Sequence, residues 1–476
     1  MQIKPYPSME QSGVPWVGEV PSHWTRSKLR TLLKRVAERN RPDLPLLSVV
    51  REKGVIPRDL SKSDENHNFI PDDLTNYKRV RRGQFAINKM KAWQGSYGVS
   101  DHEGIVSPAY FVFDLQGVGG RFFHAAIRSR AYVPFFTQAS DGVRIGQWDL
   151  SDSRMREIPF FVPPLAEQAA IVRFLDHADR RIRRYIRTKQ KLIKLLEEQK
   201  RAIVHHAVTR GVDTQVRVKP SGIDWIGDVP AHWEIWQVRH FATVGNGSTP
   251  SRGNAAYWSG GAFPWLNSSS VNAGIITASD QFVTETALRE CHLPRVQPGS
   301  VLVAITGQGK TRGTAAVLAI EATINQHIAF IAPRRQQRTA TPEYLRLFLV
   351  AAYPELRRIS EDSGSTKGAL TCEDLKHFRV LLPPADEQNR IVSIACEETT
   401  GVETNLRGVE REISLLREYR TRLIADVVTG KLDVRDAAAR LPEDASDTEP
   451  LDEADAEVEG EESAEQVEAV AEEAGA

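Results

Sequence analysis

The sequence predicts an α/β (α+β) protein with an internal duplication, in which two long antiparallel coiled-coil helices separate two globular domains related by a pseudo-two-fold axis. Repeated markers are the first observation behind this prediction. VPWVGEVPSHW at 14–24 returns as IDWIGDVPAHW at 223–233, an offset of 209. FFVPPLAEQ at 160–168 returns as VLLPPADEQ at 380–388, an offset of 220. A period above 200 residues is too long for a solenoid or a propeller, so it indicates duplication of a whole unit.

The second observation is that the two globular regions diverge between the constant markers. The offset grows by 11 from the first marker to the second, so the variable stretch is longer in the second copy. A constant frame around a variable insert is typical of a protein that reads two ligands. Residues 1–164 are the predicted first domain and residues 213–384 the second. Short apolar runs between Gly, Asn, Asp and Pro predict strands. Examples are Phe85–Asn88, Tyr110–Phe113, Phe122–Ala126, Ser300–Ile305 and Ile328–Ile331.

The third observation is a pair of long segments with helical spacing, 165–212 and 385–433, each directly after a Pro-Pro pair. Residues 165–207 contain no Gly or Pro, which allows about 65 Å of helix at ~1.5 Å per residue. Proline fits at a helix start because its missing N–H has no partner there anyway. Gly211 and then Pro220 are expected to end the first helix.

Each long segment carries a narrow apolar stripe, which predicts a coiled coil. In the first the stripe positions are Ile182, Ile186, Lys189, Ile193, Leu196, Lys200, Ile203 and Ala207. In the second they are Val402, Leu406, Val409, Ile413, Leu416, Leu423 and Val427, interrupted by Arg420. The alternative is that each stripe packs on its own domain. Mutual antiparallel pairing is favoured because two matched stripes in one chain cover each other at small entropic cost.

Charge separates the chain into a basic body and an acidic tail. Residues 434–476 contain 16 acidic and 2 basic residues, which leaves 60 basic and 46 acidic residues in 1–433. The tail has no aromatic residue and is expected to be disordered. A basic body suggests a polyanionic partner, most simply nucleic acid, although a solvated surface is the alternative.

Composition narrows the class of protein further. No stretch approaches the ~20 apolar residues of a membrane span, and Met1 is not followed by a secretory signal segment. Cys291, Cys372 and Cys396 are scattered without a CxxC pair, so neither a disulfide framework nor a zinc site is expected. These features favour a cytoplasmic protein.

Two enzyme hypotheses have weak support in the sequence. An adenine methyltransferase needs a glycine loop and an (Asn/Asp/Ser)-Pro-Pro-aromatic turn. The nearest matches, 241–247 and 107–110, lie in different copies, and the second lacks its middle proline. A nucleotide-binding loop is suggested by AITGQGKT at 304–311, but β-capable residues follow where a helix should begin. A strand–loop–strand hairpin is favoured, with Gln308, Lys310 and Arg312 exposed at its tip.

The markers described above make the chain resemble the specificity subunit of type I restriction–modification systems. The resemblance rests on the duplicated W-x-G-x-V-P-x-H-W, on P-P-x-x-E-Q, and on the closing V-T-x-x-x-D at 208–213 and 428–433. NKMKAWQGSYGVS (88–100) and GIVSPAYFVF (104–113) are similar to one group of target-recognition domains. GNGSTPSRG (245–253), INQHIAFI (324–331) and SGSTKGAL (363–370) are similar to another. The acidic tail is not part of the common pattern.

The resemblance implies a DNA-reading adaptor without catalysis of its own. Each target-recognition domain would read one half of a split site in double-stranded DNA, and the paired helices would set the spacer. Two methyltransferase (modification) subunits would dock on the helices, and two restriction/translocase subunits would complete the nuclease. S-adenosylmethionine, ATP and Mg would belong to those partners, with no cofactor or metal bound by this chain. A non-catalytic coiled-coil scaffold protein is the rival hypothesis.

The residue types of two loops nominate DNA contacts, because Lys and Arg neutralise phosphates while Asn, Gln and Arg pair with base edges. In the first domain the candidates are Asn88, Lys89, Lys91, Trp93, Gln94, Ser96 and Tyr97. In the second they are Gln308, Lys310, Arg312, Ser365, Thr366 and Lys367. Packing is the alternative for Trp93 and Tyr97. The pairs Trp16/Trp24 and Trp225/Trp233 are expected to anchor the frame to the helices.

Overall fold

The computed structural model describes residues 3–51, 53–58, 71, 73–144, 147–213, 215–307, 311–334, 339–362 and 368–442. Residues 443–476 of the expected disordered tail lie outside the described residues. Residues 434–442 are ordered and include helix Arg435–Ala439, so the expectation of disorder is wrong for this part of the tail, where the buried Val434 and Ala438 hold the chain to the first unit. The chain divides into two compact units. The first consists of residues 1–185 together with the chain from 415 onward, and the second of residues 186–414. Each unit therefore combines one globular domain with the end of one long helix and the start of the other.

The two long helices are Leu165–Arg210, here called the central helix, and Ala385–Val428, the C-terminal helix. Each begins immediately after a Pro-Pro pair, where proline supplies a helical φ and no unsatisfied N–H. The central helix ends before Gly211, whose φ of +72° reverses the chain at little steric cost. None of the helices in the described ranges is both long and apolar enough to cross a membrane.

Short strands and helices build the globular part of the first unit. Its strands are Met9–Gln11, Glu19–Pro21, Thr25–Lys28, Leu33–Val36, Leu47–Val50, Gly54–Pro57, Lys78–Val80, Phe85–Ile87, Tyr97–Val99, Gly104–Val106, Phe111–Leu115, Ser140–Arg144, Gln147–Leu150 and Pro159–Val162. Its shorter helices are Leu29–Leu32, Ala92–Gln94 (3₁₀), Gly120–Ile127, Val133–Gln138, Asp152–Arg156 and Arg435–Ala439.

One predicted strand of the first unit is a helix. The run Phe122–Ala126 lies within helix Gly120–Ile127. Its buried residues Phe122, Phe123, Ala126 and Ile127 recur at helical rather than alternating spacing, a period that the expectation of a strand overlooked.

The second unit has a similar set of elements. Its strands are Val218–Pro220, Asp228–Pro230, Glu234–Gln237, Ala242–Asn246, Phe263–Leu266, Ile275–Ile276, Gln281–Val283, Val301–Ala304, Ala315–Leu318, Thr323–Ile324, Ile328–Pro333 and Arg379–Leu382. Its shorter helices are Val238–Phe241, Ala255–Trp258, Ser268–Ala273 (3₁₀), Glu285–Glu290, Pro342–Ala351, Tyr353–Asp362 and Cys372–His377.

The main sheets of the two units share one strand order. In the first it is Leu33–Val36, Phe111–Leu115, Phe85–Ile87 and Tyr97–Val99, all antiparallel neighbours. In the second it is Ala242–Asn246, Ile328–Pro333, Val301–Ala304 and Ala315–Leu318, extended by Ile275–Ile276. Counted along the chain, both orders run first, fourth, second, third. This shared topology confirms the predicted duplication and the mixed α/β fold class.

Helix ends complete the core of each globular domain. In the first unit, Ile171 and Leu175 of the central helix and Val427 of the C-terminal helix join a cluster rich in buried phenylalanine. In the second unit, Val208 of the central helix and Ile391 of the C-terminal helix join the equivalent cluster. Each domain is therefore built on the start of one long helix and the end of the other.

Between these ends the two helices pair with each other, as predicted. In the second unit Lys189 Nζ lies 2.6 Å from Glu412 Oε2, and Lys200 Nζ lies 2.7 Å from Glu403 Oε1. In the first unit Arg420 pairs with Asp179 of the central helix. Partner numbers fall on one helix as they rise on the other, so the pairing is antiparallel. The polar interruptions of both stripes are the positions that form these ion pairs.

Candidate nucleic-acid interface

A glutamate at the start of each long helix accepts hydrogen bonds from the repeated His-Trp marker. In the first unit, Glu167 Oε1 accepts from Trp24 Nε1 at 2.8 Å, and Oε2 lies 2.8 Å from His23 Nε2. The hydroxyl of Tyr6 adds a third hydrogen bond to Oε1 at 2.6 Å. The carboxylate satisfies three donors while its charge lies at the positive N-terminus of the helix.

The second unit repeats this arrangement. Trp233 Nε1 donates to Glu387 Oε1 at 3.0 Å, and His232 Nε2 lies 2.8 Å from Glu387 Oε2. Glu387 is more exposed than Glu167, with side-chain exposures of 17% and 5%. The two halves of the sequence pattern, H-W and P-P-x-x-E-Q, are therefore two sides of one contact, formed once in each unit.

The adjacent glutamine ties the same helix start to the globular domain. Gln168 donates from Nε2 to the Pro163 carbonyl at 2.8 Å and accepts from the Gly119 N–H at 2.8 Å. Gln388 donates to the Pro383 carbonyl at 2.9 Å and accepts from the Thr341 N–H at 2.7 Å. Gln168 and Gln388 are 3% and 1% exposed, so these bonds are shielded from water. Each helix start is fixed to the domain beside it.

Trp24 and Trp233 anchor the frame to the helices as predicted. Trp16 donates to the Ala131 carbonyl at 3.1 Å, and its ring lies 4.8 Å from that of Phe135 within the globular domain. Trp225 contacts the central helix through its carbonyl, 3.2 Å from His205 Nε2.

The two candidate loops occupy the same position in the two sheets. Residues 88–96 join strand Phe85–Ile87 to Tyr97–Val99, and residues 305–314 join Val301–Ala304 to Ala315–Leu318. Both connect the third and fourth neighbouring strands of their sheet. The predicted hairpin at 301–318 is thereby confirmed. Two segments chosen for their residue types alone are structurally equivalent.

Three candidates of the first loop are buried beneath its surface. Asn88 is 7% exposed; its Nδ2 donates to the Tyr110 hydroxyl at 3.0 Å, and its Oδ1 accepts from the Met90 N–H at 3.2 Å. Ser96 is 2% exposed, and Tyr97 is fully buried with its ring 4.1 Å from that of Phe136. The desolvation of burial raises the pKa of Tyr97 far above its ordinary value. For these residues packing, rather than an exposed contact surface, is what the structure presents.

The remaining candidates of the first loop reach the surface. Lys91 is exposed and Gln94 half-buried. Lys89 pairs with Asp149 at 2.7 Å, so part of its charge is already compensated. Trp93 stacks on Trp148 with ring centroids 5.4 Å apart. Lys91 and Gln94 are therefore the loop residues best placed for a ligand.

In the second loop the expectation that Arg312 is exposed is wrong. Arg312 is 5% exposed, because the guanidinium turns inward and donates to the Gly368 carbonyl and to Glu361 Oε1 at 3.4 Å. These partners are 49 and 56 residues away, and no local pattern reveals them. Five further candidates lie outside the described residues. They are Gln308, Lys310, Ser365, Thr366 and Lys367.

The two enzyme motifs take on ordinary structural roles. Strand Ala315–Leu318 follows the glycine loop at 304–311, where a phosphate-binding loop would open a helix. The glycine segment at 241–247 forms strand Ala242–Asn246, paired along its length with Ile328–Pro333. Among the residues that the structure covers, no group of three or more His, Cys, Asp and Glu side chains is placed to hold a metal ion.

Sequence reasoning missed the role of Glu167 and Glu387, although both stand in the repeated P-P-x-x-E-Q motif. An acid at the same place of a duplicated motif, together with a duplicated indole donor, was the available signal. It also missed the exposed Arg252, whose guanidinium lies 4.0 Å from the Trp258 ring and donates to Gln281 at 2.9 Å. This arginine is held against an aromatic surface in the second domain.

Comparison with known proteins agrees with this geometry. Residues 230–395 match the family described as Type I restriction modification DNA specificity domain. The chain is 21% identical over 287 residues to the Type I restriction enzyme EcoR124I/EcoR124II specificity subunit of Escherichia coli, covering 59% of this chain and 64% of that protein. It is 30% identical over 174 residues to the Type I restriction enzyme MjaIX specificity subunit of Methanocaldococcus jannaschii, covering 36% and 38%. The chain thus spans less than two thirds of these two relatives.

Two further similarities extend over most of the chain. The putative type I restriction enzyme MjaX specificity subunit of the same archaeon is 18% identical over 449 residues, covering 88% of this chain and 96% of that protein. A structure solved in work on complex assembly and conformational transition of the type I R-M system superposes with a TM-score of 0.63 at 18% identity. It covers 87% of this chain and 99% of that chain, so the folds are alike. These findings confirm the resemblance to type I specificity subunits.

Proposed function

From the premise that this chain carries a type I restriction modification DNA specificity domain, we propose that it is the DNA sequence-specificity subunit of a type I restriction–modification complex. Each globular domain reads one half of a bipartite site in double-stranded DNA. The observation that carries the proposal is the frame: one set of Trp, His, Glu and Gln contacts is formed twice, around two domains with different loops.

The paired hairpin loops are the proposed reading elements. They lie at equivalent points of equivalent sheets, and their sequences differ. In the first loop Lys91 is placed for a phosphate and Gln94 for a base edge. Joining two such readers in one chain makes the second contact intramolecular, which raises the affinity without more contacts per domain.

The chain itself is proposed to be non-catalytic. Methylation and cleavage belong to partners, namely two methyltransferase subunits docked on the long helices and two restriction/translocase subunits. Those partners supply S-adenosylmethionine, ATP and Mg. The duplicated helix starts support this role, because the same contacts are formed in each unit and so offer equivalent surfaces to two like subunits.

Mapping of methylated adenines tests the proposal. Genomic DNA is compared from hosts with and without this gene, each carrying the same methyltransferase subunit. We expect one bipartite motif to lose methylation when the gene is removed. If the methylated sites do not change, and a methyltransferase subunit fails to co-purify with the chain, a scaffold protein remains the better description.

A second experiment tests the proposed spacing role of the helices. One heptad is inserted into both helices at facing positions, which lengthens each by roughly 10 Å. That length corresponds to about three base pairs at ~3.4 Å each. We expect the spacer of the methylated motif to grow by about that number. An unchanged spacer in a folded, active complex contradicts the role.

A further inference from the structure

A basic groove of about 710 Å³ runs along the start of the central helix in the first unit. Its charged lining consists of three arginines and one acid, Arg121, Arg173, Arg180 and Asp176. Arg121 lies 2.7 Å from Asp176, and the other two arginines are exposed. Counted over its charged lining, the groove carries three positive charges and one negative charge on a surface open to water.

Residues Leu441 and Pro442 lie at the wall of this groove. Arg173 Nη2 donates to the carbonyls of Leu441 at 2.7 Å and Pro442 at 3.2 Å. The next residue is Glu443, and residues 443–476 contain 15 acidic residues and no basic one. The most acidic segment of the chain thus starts within contact distance of an exposed arginine cluster.

The second unit serves as an internal comparison, because its frame is built in the same way. The Gly119 and Thr341 N–H groups donate to equivalent glutamines. Counted from these residues, Arg121 of helix Gly120–Ile127 and Glu343 of helix Pro342–Ala351 occupy equivalent positions. At the offset of 220, Arg173 corresponds to Ser393 and Arg180 to Thr400. No basic residue stands at the three equivalent positions of the second copy. The frame does not require these arginines, and they occur in the copy from which the acidic segment departs.

We propose that the acidic segment 443–476 binds back into the groove lined by Arg121, Arg173 and Arg180. Individually, exposed Arg–carboxylate pairs contribute little free energy. The tether at Pro442 compensates, because a short flexible connection gives an effective concentration in the millimolar range. The contact is sensitive to salt, since exposed charges are screened over about 8 Å at physiological ionic strength. Any other polyanion that approaches this face competes with the segment.

Site-specific photocrosslinking in the full chain tests the proposal. A benzoylphenylalanine replaces Ala169, an exposed residue of the groove, or Asn389, the exposed residue at the same position of the second copy. We expect position 169 to capture peptides from 443–476 roughly tenfold more than position 389 at low salt. Raising the salt to about 1 M, where the screening length is near 3 Å, should remove the difference.

Charge variants decide between a specific and a general attraction. Arg121→Glu with Arg180→Glu should abolish the crosslink from position 169, whereas Lys at both positions should keep most of it. If the reversed pair disturbs the fold, a chain whose acidic residues in 443–476 are changed to Gln or Asn leaves the groove intact and should lose the crosslink too. Equal capture at positions 169 and 389, or capture indifferent to both charge changes, would overturn the proposal. The outcome is independent of whether the protein binds DNA.

Discussion

Removing the buried glutamate at the start of one long helix should loosen one unit and leave the other unchanged. In the first unit Glu167→Ala deprives three donors of their acceptor, Tyr6, His23 and Trp24. Tyr6 and Trp24 are each 4% exposed, so water does not replace the lost oxygen. A buried donor left without a partner costs about 1–3 kcal/mol, which gives roughly 2–6 kcal/mol for the two. His23 is 40% exposed at its side chain and rehydrates, adding little.

The equivalent change in the second unit should cost about half as much. Glu387→Ala leaves one buried donor, the indole N–H of Trp233, because His232 is 42% exposed at its side chain. The expected loss is therefore about 1–3 kcal/mol. Glu167→Gln keeps one carbonyl acceptor but places an amide donor among donors, and should fall between the wild type and Glu167→Ala. Glu198→Ala, at an exposed site of the central helix, is the control.

Hydrogen exchange with peptide resolution is the suitable assay, because a chain of two units does not unfold in one step. Glu167→Ala should speed exchange in peptides covering 3–24 and the strand at 159–162, with peptides covering 218–237 unchanged. Glu387→Ala should show the reverse. The reasoning fails if Glu167→Ala leaves 3–24 as protected as in the wild type, or if either variant loosens both units equally.

Three further outcomes follow from the same contacts. Gly430→Ala should destabilise the first unit by at least about 2 kcal/mol, measured by hydrogen exchange, and by more than Gly211→Ala destabilises the second unit. Both glycines have positive φ, but an added Cβ would lie 2.2 Å from Pro21 at Gly430 and 3.0 Å from Trp233 at Gly211. Equal effects would contradict this reasoning. Burial lowers the pKa of His124 to about 4, below its unfolded value of ~6.5. The neutral His124 therefore contributes its full share of the stability of the first unit above pH ~6.5, and this share should fall by up to roughly 3 kcal/mol as the pH drops to about 4. His124→Gln should abolish that slope in protection of the first unit, and an unchanged slope assigns it to other groups. Lys91→Ala should weaken DNA binding and reduce the salt slope by about one, while the control Arg239→Ala, outside the loops, should not; identical titrations at several salt concentrations would remove Lys91 from the interface.

The architecture was predictable from the sequence because it rests on local and repeated signals. A Pro-Pro pair sets the starts of the long helices at Leu165 and Ala385, and a glycine with positive φ follows the first of them. The stripe of apolar residues predicted antiparallel pairing, and even its polar interruption at Arg420 has a partner, Asp179. These features depend on residues within a few turns of each other, or on a period that one chain displays twice.

The exposure of the candidate contact residues was not predictable, because it depends on distant partners. The sequence predicts that Arg312 is an exposed cation at the loop tip. Its guanidinium instead turns inward and donates to the carbonyl of Gly368, which lies 56 residues further along the chain. The sequence places Tyr97 in a polar loop, where its ring could stack on a base. In the structure Tyr97 is the first residue of strand Tyr97–Val99 and packs on Phe136. Residue type selected two loops that prove structurally equivalent, whereas the direction of each side chain is a property of the tertiary fold.

The frame and the loops therefore meet different physical requirements, which explains how one architecture can carry two globular domains with different loops. The hydrogen bonds of the frame join the start of each long helix to the repeated marker and to a backbone N–H of the domain. Glu167 accepts from Trp24 of the marker, and Gln168 accepts from the Gly119 N–H. None of these bonds uses a side chain of residues 88–96 or 305–314. Lys91 and Gln94 can therefore change at small cost to folding, while a change at Glu167 cannot. The cost of substitution should separate the two sets of residues even where their distances along the chain are similar.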